Sequence, residues 1–266
     1  MYNSHVTEAQ LLRIVEDTLS MVLPRASDRP VSLSKAVRYA VGTGGKRIRP
    51  LVCLGSALAV GGKAQDAAFP AAAIELLHNY TLIHDDLPSM DNDTMRRGHP
   101  SVWFKYGEAE AILAGDALQS LAFVTASRSP RNAETIVYTL GKYGVGVVFG
   151  QVEDLMRQQS SNQTGDIDFI YEHKTADLFI AASLMGGLAA GADMDEIKSL
   201  KKFAYCLGIA FQYEDDLLDD ETPCDKDECK KVILHMTANA LAALDNLPGD
   251  TTILHKLTER LVDRKE

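Results

Sequence analysis

Two short runs of carboxylates stand out in the chain. The first is His84-Asp85-Asp86-Leu87-Pro88-Ser89-Met90-Asp91-Asn92-Asp93, and the second is Glu214-Asp215-Asp216-Leu217-Leu218-Asp219-Asp220. Asp85 and Asp86 close an apolar stretch containing Ile74, Leu77 and Ile83, which reads as a helix. On an unbroken helix Asp91 would lie about 120° around the axis from Asp85, at ~100° per residue. Pro88 lacks the N–H that would bond the carbonyl of His84, so an irregular turn is expected, able to swing Asp91 back beside Asp85. Asp215 and Asp219 are one helical turn apart and share a face, an arrangement that is unfavourable unless cations neutralise it. Converging carboxylates suit magnesium, a hard ion that keeps several waters and takes few protein ligands. Either run alone reads equally well as a solvated acidic segment. Two, each ending an apolar helix, indicate a cleft with metal ions between facing carboxylates.

Cations accompany them. Gly44-Gly45-Lys46-Arg47-Ile48-Arg49-Pro50 sets three cations at a Gly-rich helix entrance, Arg96-Arg97-Gly98 follows the first acidic run, and His173-Lys174-Thr175 opens a later helix. Singly, such groups are usually solvated surface charge. Beside metal-binding aspartates they fit a site for two diphosphates, with Arg supplying bidentate contacts.

The elements that must position these groups read as helices almost throughout. Apolar residues recur at helical spacing, and strand-like alternation is hard to find. Residues 7–22 form an amphipathic pattern with Leu11, Leu12, Val15, Leu19 and Val22 on one side. Gly42 to Gly45 is a break, Pro50 suits the first turn of a helix over Leu51 to Val60, and Gly61-Gly62 punctuates again. Further helices are expected from about Pro70 to Asp86, Gly107 to Ser127, and over 131–158, 166–190, 195–220 and 226–263, with a loop from Pro88 to Pro100. No repeat or low-complexity linker divides the 266 residues, so residues 1–266 read as one all-α domain. A core rich in Ala, Leu, Ile and Val, with 46% hydrophobic and only 7% aromatic residues, agrees.

A formal charge of -10 argues against a nucleic-acid partner. The longest apolar runs are too short and Gly-broken to span a bilayer, so no membrane insertion is expected. The opening MYNSHVTEAQ shows no signal-peptide pattern. Cys53, Cys206, Cys224 and Cys229 form no CxxC pair and read as free thiols in a reducing cytoplasm.

The phrases GGKRIRP, LHNYTLIHDDLPSMDNDTMRRGHPS, ILAGDAL, GQVEDL, HKTADLF and LGIAFQYEDDLLDD occur in this order. The chain resembles the trans-polyprenyl diphosphate synthase family in them, bacterial-type farnesyl diphosphate synthases especially. The resemblance implies a homodimer of isoprenoid-synthase-type helical bundles, each around a deep cavity, condensing isopentenyl diphosphate with an allylic diphosphate. It implies that Lys46, Arg49, His78 and Arg97 hold the diphosphate of isopentenyl diphosphate. Asp85, Asp91 and Asp215 would be principal ligands of three magnesium ions, with Asp86, Asp216 and Asp219 assisting. Arg96 and Lys174 would grip the allylic diphosphate, while the Lys174 backbone, Thr175 and Gln212 face the developing allylic cation. A terpene cyclase shares the aspartates but needs no Lys46/Arg49/Arg97 site, and a metal phosphohydrolase would want more imidazoles.

Product length is expected to be read on the helix before Asp85. Tyr80 lies five residues earlier, about 7.5 Å along the axis, and Thr81 one turn before Asp85. A tyrosine there resembles bacterial farnesyl synthases and predicts a fifteen-carbon product, with geranyl or geranylgeranyl diphosphate as alternatives. One departure is plain. After Asp219 the family continues through a Gly- and Lys-rich loop, whereas this chain runs Asp220-Glu221-Thr222-Pro223-Cys224-Asp225. A genuine deletion of that loop's lysines would favour, as a further alternative, a catalytically weak or regulatory subunit, whereas a loop merely missing from the sequence in hand would leave an ordinary enzyme.

Overall fold

The structure, a computed structural model, describes residues 6–159, 166–220 and 222–262. Helix α1 (Glu8–Val22) starts at a capping box in which the Thr7 hydroxyl accepts from the Gln10 N–H and Gln10 returns a bond to the Thr7 N–H. Next come α2 (Val31–Gly42) and α3 (Ile48–Ala59), then, after a 3-10 turn, α4 (Ala68–Asp85). Two-residue strands β1 (Met95–Arg96) and β2 (His99–Pro100) pair antiparallel in the loop beyond α4. They precede α5 (Val102–Tyr106), α6 (Glu108–Ala126) and α7 (Ala133–Gln159). The chain ends its described part with α8 (Ile167–Ile170), a π-helical segment Tyr171–Ala176, α9 (Asp177–Ala190), α10 (Met194–Leu218), α11 (Lys226–Leu244) and α12 (Thr252–Val262).

The all-α expectation is met, and the reason is visible in the burial. Helices α3, α4 and α9 are apolar around most of their circumference and lie inside, while α6, α7 and α10 pack around them. Phe179, Phe203, Ile74, Leu76 and Leu77 are among the largest fully buried side chains. Among the described residues no helix is long and apolar enough to cross a membrane.

Four expectations need correction. Val31–Gly42 is a helix that was not expected: Leu33, Ala36, Val37, Ala40 and Val41 recur at helical spacing on one inward face, although its N-cap, Pro30, gives no side-chain cap. The stretch 226–263 is two helices, because Pro248-Gly249 breaks it, and residue 263 lies outside the described part. The break docks on α3: the Gly249 N–H donates to the Ala59 carbonyl at 2.8 Å, and a Cβ there would fall 2.1 Å from the Leu58 oxygen. Over 166–190 the helix is not uniform but widens into the π segment. Lastly, Cys224 and Cys229 are paired as a disulfide, leaving Cys53 and Cys206 as the buried free thiols.

Candidate active site

The first acidic run is built as its spacing demands. Helix α4 ends at Asp85, Asp86 caps it, and the turn through Pro88 folds back until the Asp91 N–H donates to the Asp85 carbonyl at 2.9 Å. The second run closes α10, where Asp219 caps the helix through its N–H to the Asp215 carbonyl. Asp85 and Asp215 line one cavity of about 690 Å³ together with Lys46, Arg49, His78, Arg97, Lys174, Thr175 and Gln212. Ile48, Leu82, Val147, Leu178 and Phe211 supply apolar wall. A second cavity of about 810 Å³ shares Lys174, Gln212 and Asp215 and adds Asp216, Asp219, Asp154 and Arg157.

One pole of this space is cationic and under-compensated. Arg49 donates to His78 Nε2 at 3.3 Å and sits 4.9 Å over the Phe179 ring, while its Nε has no partner. Desolvation, with Arg97 nearby, pushes the Arg49 guanidinium down to about 10 despite Glu75 and Asp215. Burial first, and then Arg49 and Arg97, hold His78 well below the usual imidazole range, so its ring is neutral. Arg97 bonds the Gly44 carbonyl, and a Cβ on Gly45 would meet its guanidinium at 2.7 Å. The glycine therefore lets the arginine lie flat against the loop. A pocket of this kind favours an anion.

The other pole is acidic. Desolvation drives Asp85 up to about 7, with Lys174 and Arg96 opposing and Asp91 and Asp86 reinforcing. A carboxylate held away from water and beside like charges fits a bound cation, and all-oxygen donors fit a hard one. The fit is open rather than caged: among the described residues no three carboxylate or imidazole groups converge into a closed metal cluster.

The three cations of the Gly-rich entrance, alike in sequence, divide sharply. Arg47 takes a left-handed backbone, φ 47°, and turns inward to 6% exposure. It donates to Glu16, Glu75 and the Val41 carbonyl, each at 2.7 Å. It thus ties α1, α2 and α4 to the start of α3, and lines the cavity beside Lys46 and Arg49 as an ion pair with Glu75.

Other expected residues are placed less simply. Arg96 is drawn to Asp86 at 2.5 Å and Asp93 at 2.9 Å and does not line either large cavity; Asp86 is likewise buried at 2%. Asp91 is exposed beside Asp85 rather than on the cavity wall. Lys174 lines both cavities and pairs with Asp154 of α7. The Thr175 hydroxyl donates to Gln212 Oε1 at 2.5 Å. Thr81 lines the cavity, while Tyr80 turns aside, its ring edge-on to His84 at 4.9 Å. Gln151, Asp154 and Tyr171 were not singled out from sequence. Gln151, whose buried Nε2 has no protein partner, lay within the GQVEDL phrase and was the most findable. Where the family's lysine loop would begin, Asp220 is left-handed and pairs with Lys226; Glu221 lies outside the described residues.

A helical bundle holding one space with a cationic pole, an acidic pole and an apolar wall suits a substrate with an anionic head and an apolar tail. Residues 30–246 match the polyprenyl synthetase family. The chain is 42% identical over 214 residues to a geranylgeranyl diphosphate synthase of Cyanophora paradoxa, covering 77% of this chain and 71% of that one. It is 42% identical over 200 residues to the heterodimeric geranylgeranyl pyrophosphate synthase large subunit 2 of Arabidopsis thaliana, covering 72% of this chain but only 53% of that relative. Its fold matches the geranylgeranyl pyrophosphate synthetase of Pyrococcus horikoshii Ot3 with a TM-score of 0.88 at 28% identity, over 97% of this chain and 98% of that one. An FPP/GFPP synthase of Zymomonas mobilis matches with a TM-score of 0.86 at 29% identity, over 96% and 98%. The chain belongs to the polyprenyl synthetase family, a family of prenyltransferases.

Proposed function

We propose that this protein joins isopentenyl diphosphate head to tail to an allylic diphosphate, with geranylgeranyl diphosphate as its main product. The observation that carries the reading is the opposition, across one cavity, of the under-compensated Arg49–His78–Arg97 pole and the Asp85/Asp215 pole. Lys46, Arg49 and Arg97 would hold the diphosphate of isopentenyl diphosphate. Neutral His78, its Nε2 already accepting from Arg49, would donate to the same diphosphate from Nδ1. Asp85, Asp91, Asp215 and Asp219 would hold magnesium, which when bound neutralises the leaving diphosphate. Lys174 would hold the allylic diphosphate. Thr175, Gln212 and the Lys174 backbone would face the allylic cation, and the apolar wall would keep water from it. The released diphosphate would take the proton lost at the end, as the family resemblance implies.

Twenty carbons are preferred to fifteen for two reasons. The Cyanophora paradoxa and Arabidopsis thaliana relatives, each 42% identical, are named as geranylgeranyl synthases, and the cavity wall carries small Thr81 where bulky Tyr80 turns aside. The fifteen-carbon reading rests on Tyr80 itself. A second copy, or a related subunit, is the proposed partner. Tyr138, Val145, Phe149, Val152 and Met156 form an exposed apolar stripe along one face of α7, and one relative is named as a heterodimer subunit. The test is a product assay: isopentenyl diphosphate and magnesium with dimethylallyl, geranyl or farnesyl diphosphate, chain lengths read by mass spectrometry. A twenty-carbon product supports the reading in full. A product that stops at fifteen restores the Tyr80 reading, and none with any primer refutes catalysis by this chain alone.

A further inference from the structure

Tyr171 opens the π-helical segment and faces α10. It is 4% exposed, its ring packs edge-on to Tyr213 at 5.0 Å, and its hydroxyl donates to Asp216 Oδ2. The other carboxylate oxygen, Oδ1, accepts from Gln212 Nε2 at 2.8 Å, and Gln212 Oε1 accepts from the Thr175 hydroxyl at 2.5 Å. Two pairs of residues, each four apart, thus form an antiparallel ladder: Tyr171 to Asp216 and Thr175 to Gln212.

The ladder has a direction. A carboxylate only accepts hydrogen bonds, whereas an amide can present either end and a hydroxyl can donate or accept. Asp216 therefore compels Gln212 to turn its NH2 toward α10's next turn. That leaves Oε1 for Thr175, and Thr175 must commit its proton to Gln212. What the Thr175 hydroxyl then offers the cavity is lone pairs, the polarity a developing allylic cation requires. Were Gln212 reversed, Thr175 would accept from its NH2 and could aim its own proton into the cavity.

We infer that Tyr171 is a positioning residue, and that with it Asp216 serves as the brace orienting Gln212 and Thr175 rather than as a cation ligand. The inference rests on the prenyl-transfer reading above. It also divides the second acidic run into Asp215 and Asp219 for cation binding and Asp216 for orientation.

Tyr171→Phe keeps the ring and its packing and removes only the hydroxyl, and Asp216→Asn is isosteric. Each would be studied for steady-state kinetics, for the magnesium concentration giving half-maximal rate, and by calorimetry of magnesium-dependent binding of inorganic diphosphate. Loss of one charge-assisted hydrogen bond should lower kcat roughly tenfold in Tyr171→Phe. The KM for isopentenyl diphosphate, the magnesium half-saturation and the calorimetric affinity should stay within about twofold, since no cation or diphosphate contact is touched. Asp216→Asn should show the same pattern, and the double variant should be no slower than Asp216→Asn, because both act through one ladder. An unchanged kcat in Tyr171→Phe would overturn the inference. So would weaker magnesium-dependent diphosphate binding in Asp216→Asn, which would make that aspartate a cation ligand. Absence of prenyl transfer in the unmodified protein would sink the functional reading instead, and the calorimetric arm would still decide the role of Asp216.

Discussion

Replacing Arg47 by Met tests whether the Gly-rich entrance depends on a buried ion pair. The Arg47 and Glu75 side chains are 5% and 2% exposed, their atoms are 2.7 Å apart, and Glu75 also accepts from Asn79 at 3.2 Å. Removing the guanidinium strands Glu75 in the core. Breaking one partner of such a pair costs about 3–5 kcal/mol, mostly the penalty of the charge left behind. The contact to Glu16, whose side chain is 55% exposed, adds little. At roughly 2–4 °C per kcal/mol for a chain of this size, melting should fall by about 6–20 °C. The KM for isopentenyl diphosphate should rise, because Lys46 and Arg49 flank the released loop. Adding Glu75→Gln removes the stranded charge and should recover more than half of the lost stability. Thermal unfolding and steady-state kinetics on the two variants decide the matter. If Arg47→Met melted within about 2 °C of the parent with an unchanged KM, or if the second substitution recovered nothing, the clamp would not be what holds this entrance.

Four further outcomes are expected. Gly150→Ala would set a Cβ 2.4 Å from the Lys174 nitrogen, a backbone atom that cannot swing away, so it should cost about 1–3 kcal/mol in unfolding and lower kcat more than it raises KM. Asp85→Asn should cut the magnesium-dependent rate by roughly a hundredfold or more. Because folding raises the Asp85 pKa to about 7, its stabilising effect is complete below the usual carboxylate range and lost as pH rises through about 7. In chelator, therefore, Asp85→Asn should gain melting temperature relative to the parent at pH 8 but not at pH 4. Tyr80→Ala should leave the product lengths seen by mass spectrometry unchanged, because Tyr80 does not line the cavity, and longer products would restore it to length control. Phe149→Glu, placing a charge in the exposed apolar stripe of α7, should shift a dimer to monomer in sedimentation without changing helix content.

Much of the site was legible because its chemistry is local. Asp85, Asp86 and Asp91 are near neighbours in the chain, and Pro88 alone was enough to expect the turn that brings Asp91 back. Helix content followed largely from apolar spacing, while some seams were misjudged and one helix, α2, was not expected. At 226–263 a continuous pattern hid the Pro248-Gly249 break, whose reason is a docking contact with α3 far away in the chain. In α2 the apolar spacing of Leu33, Ala36, Val37, Ala40 and Val41 is regular, and what is missing is a start signal, since Pro30 caps it with no side-chain hydrogen bond.

What the sequence determined by itself was the inventory: two carboxylate runs, the Gly-rich cationic entrance, and helices to carry them. What only the tertiary structure decided was which of several chemically equal residues is drawn to partners remote in sequence. Lys46, Arg47 and Arg49 are interchangeable as letters, yet one left-handed residue and two distant glutamates turn Arg47 into the core. Arg96 and Arg97 are adjacent, yet Asp86 and Asp93 claim the first while Gly44 and Gly45 leave the second against the cavity. Asp215 and Asp216 are adjacent too, and Tyr171 and Gln212 hydrogen-bond to the second. The physical reason is the same each time. A side chain's direction is fixed by backbone dihedrals and by partners remote in sequence, and neither is encoded in residue type or local spacing.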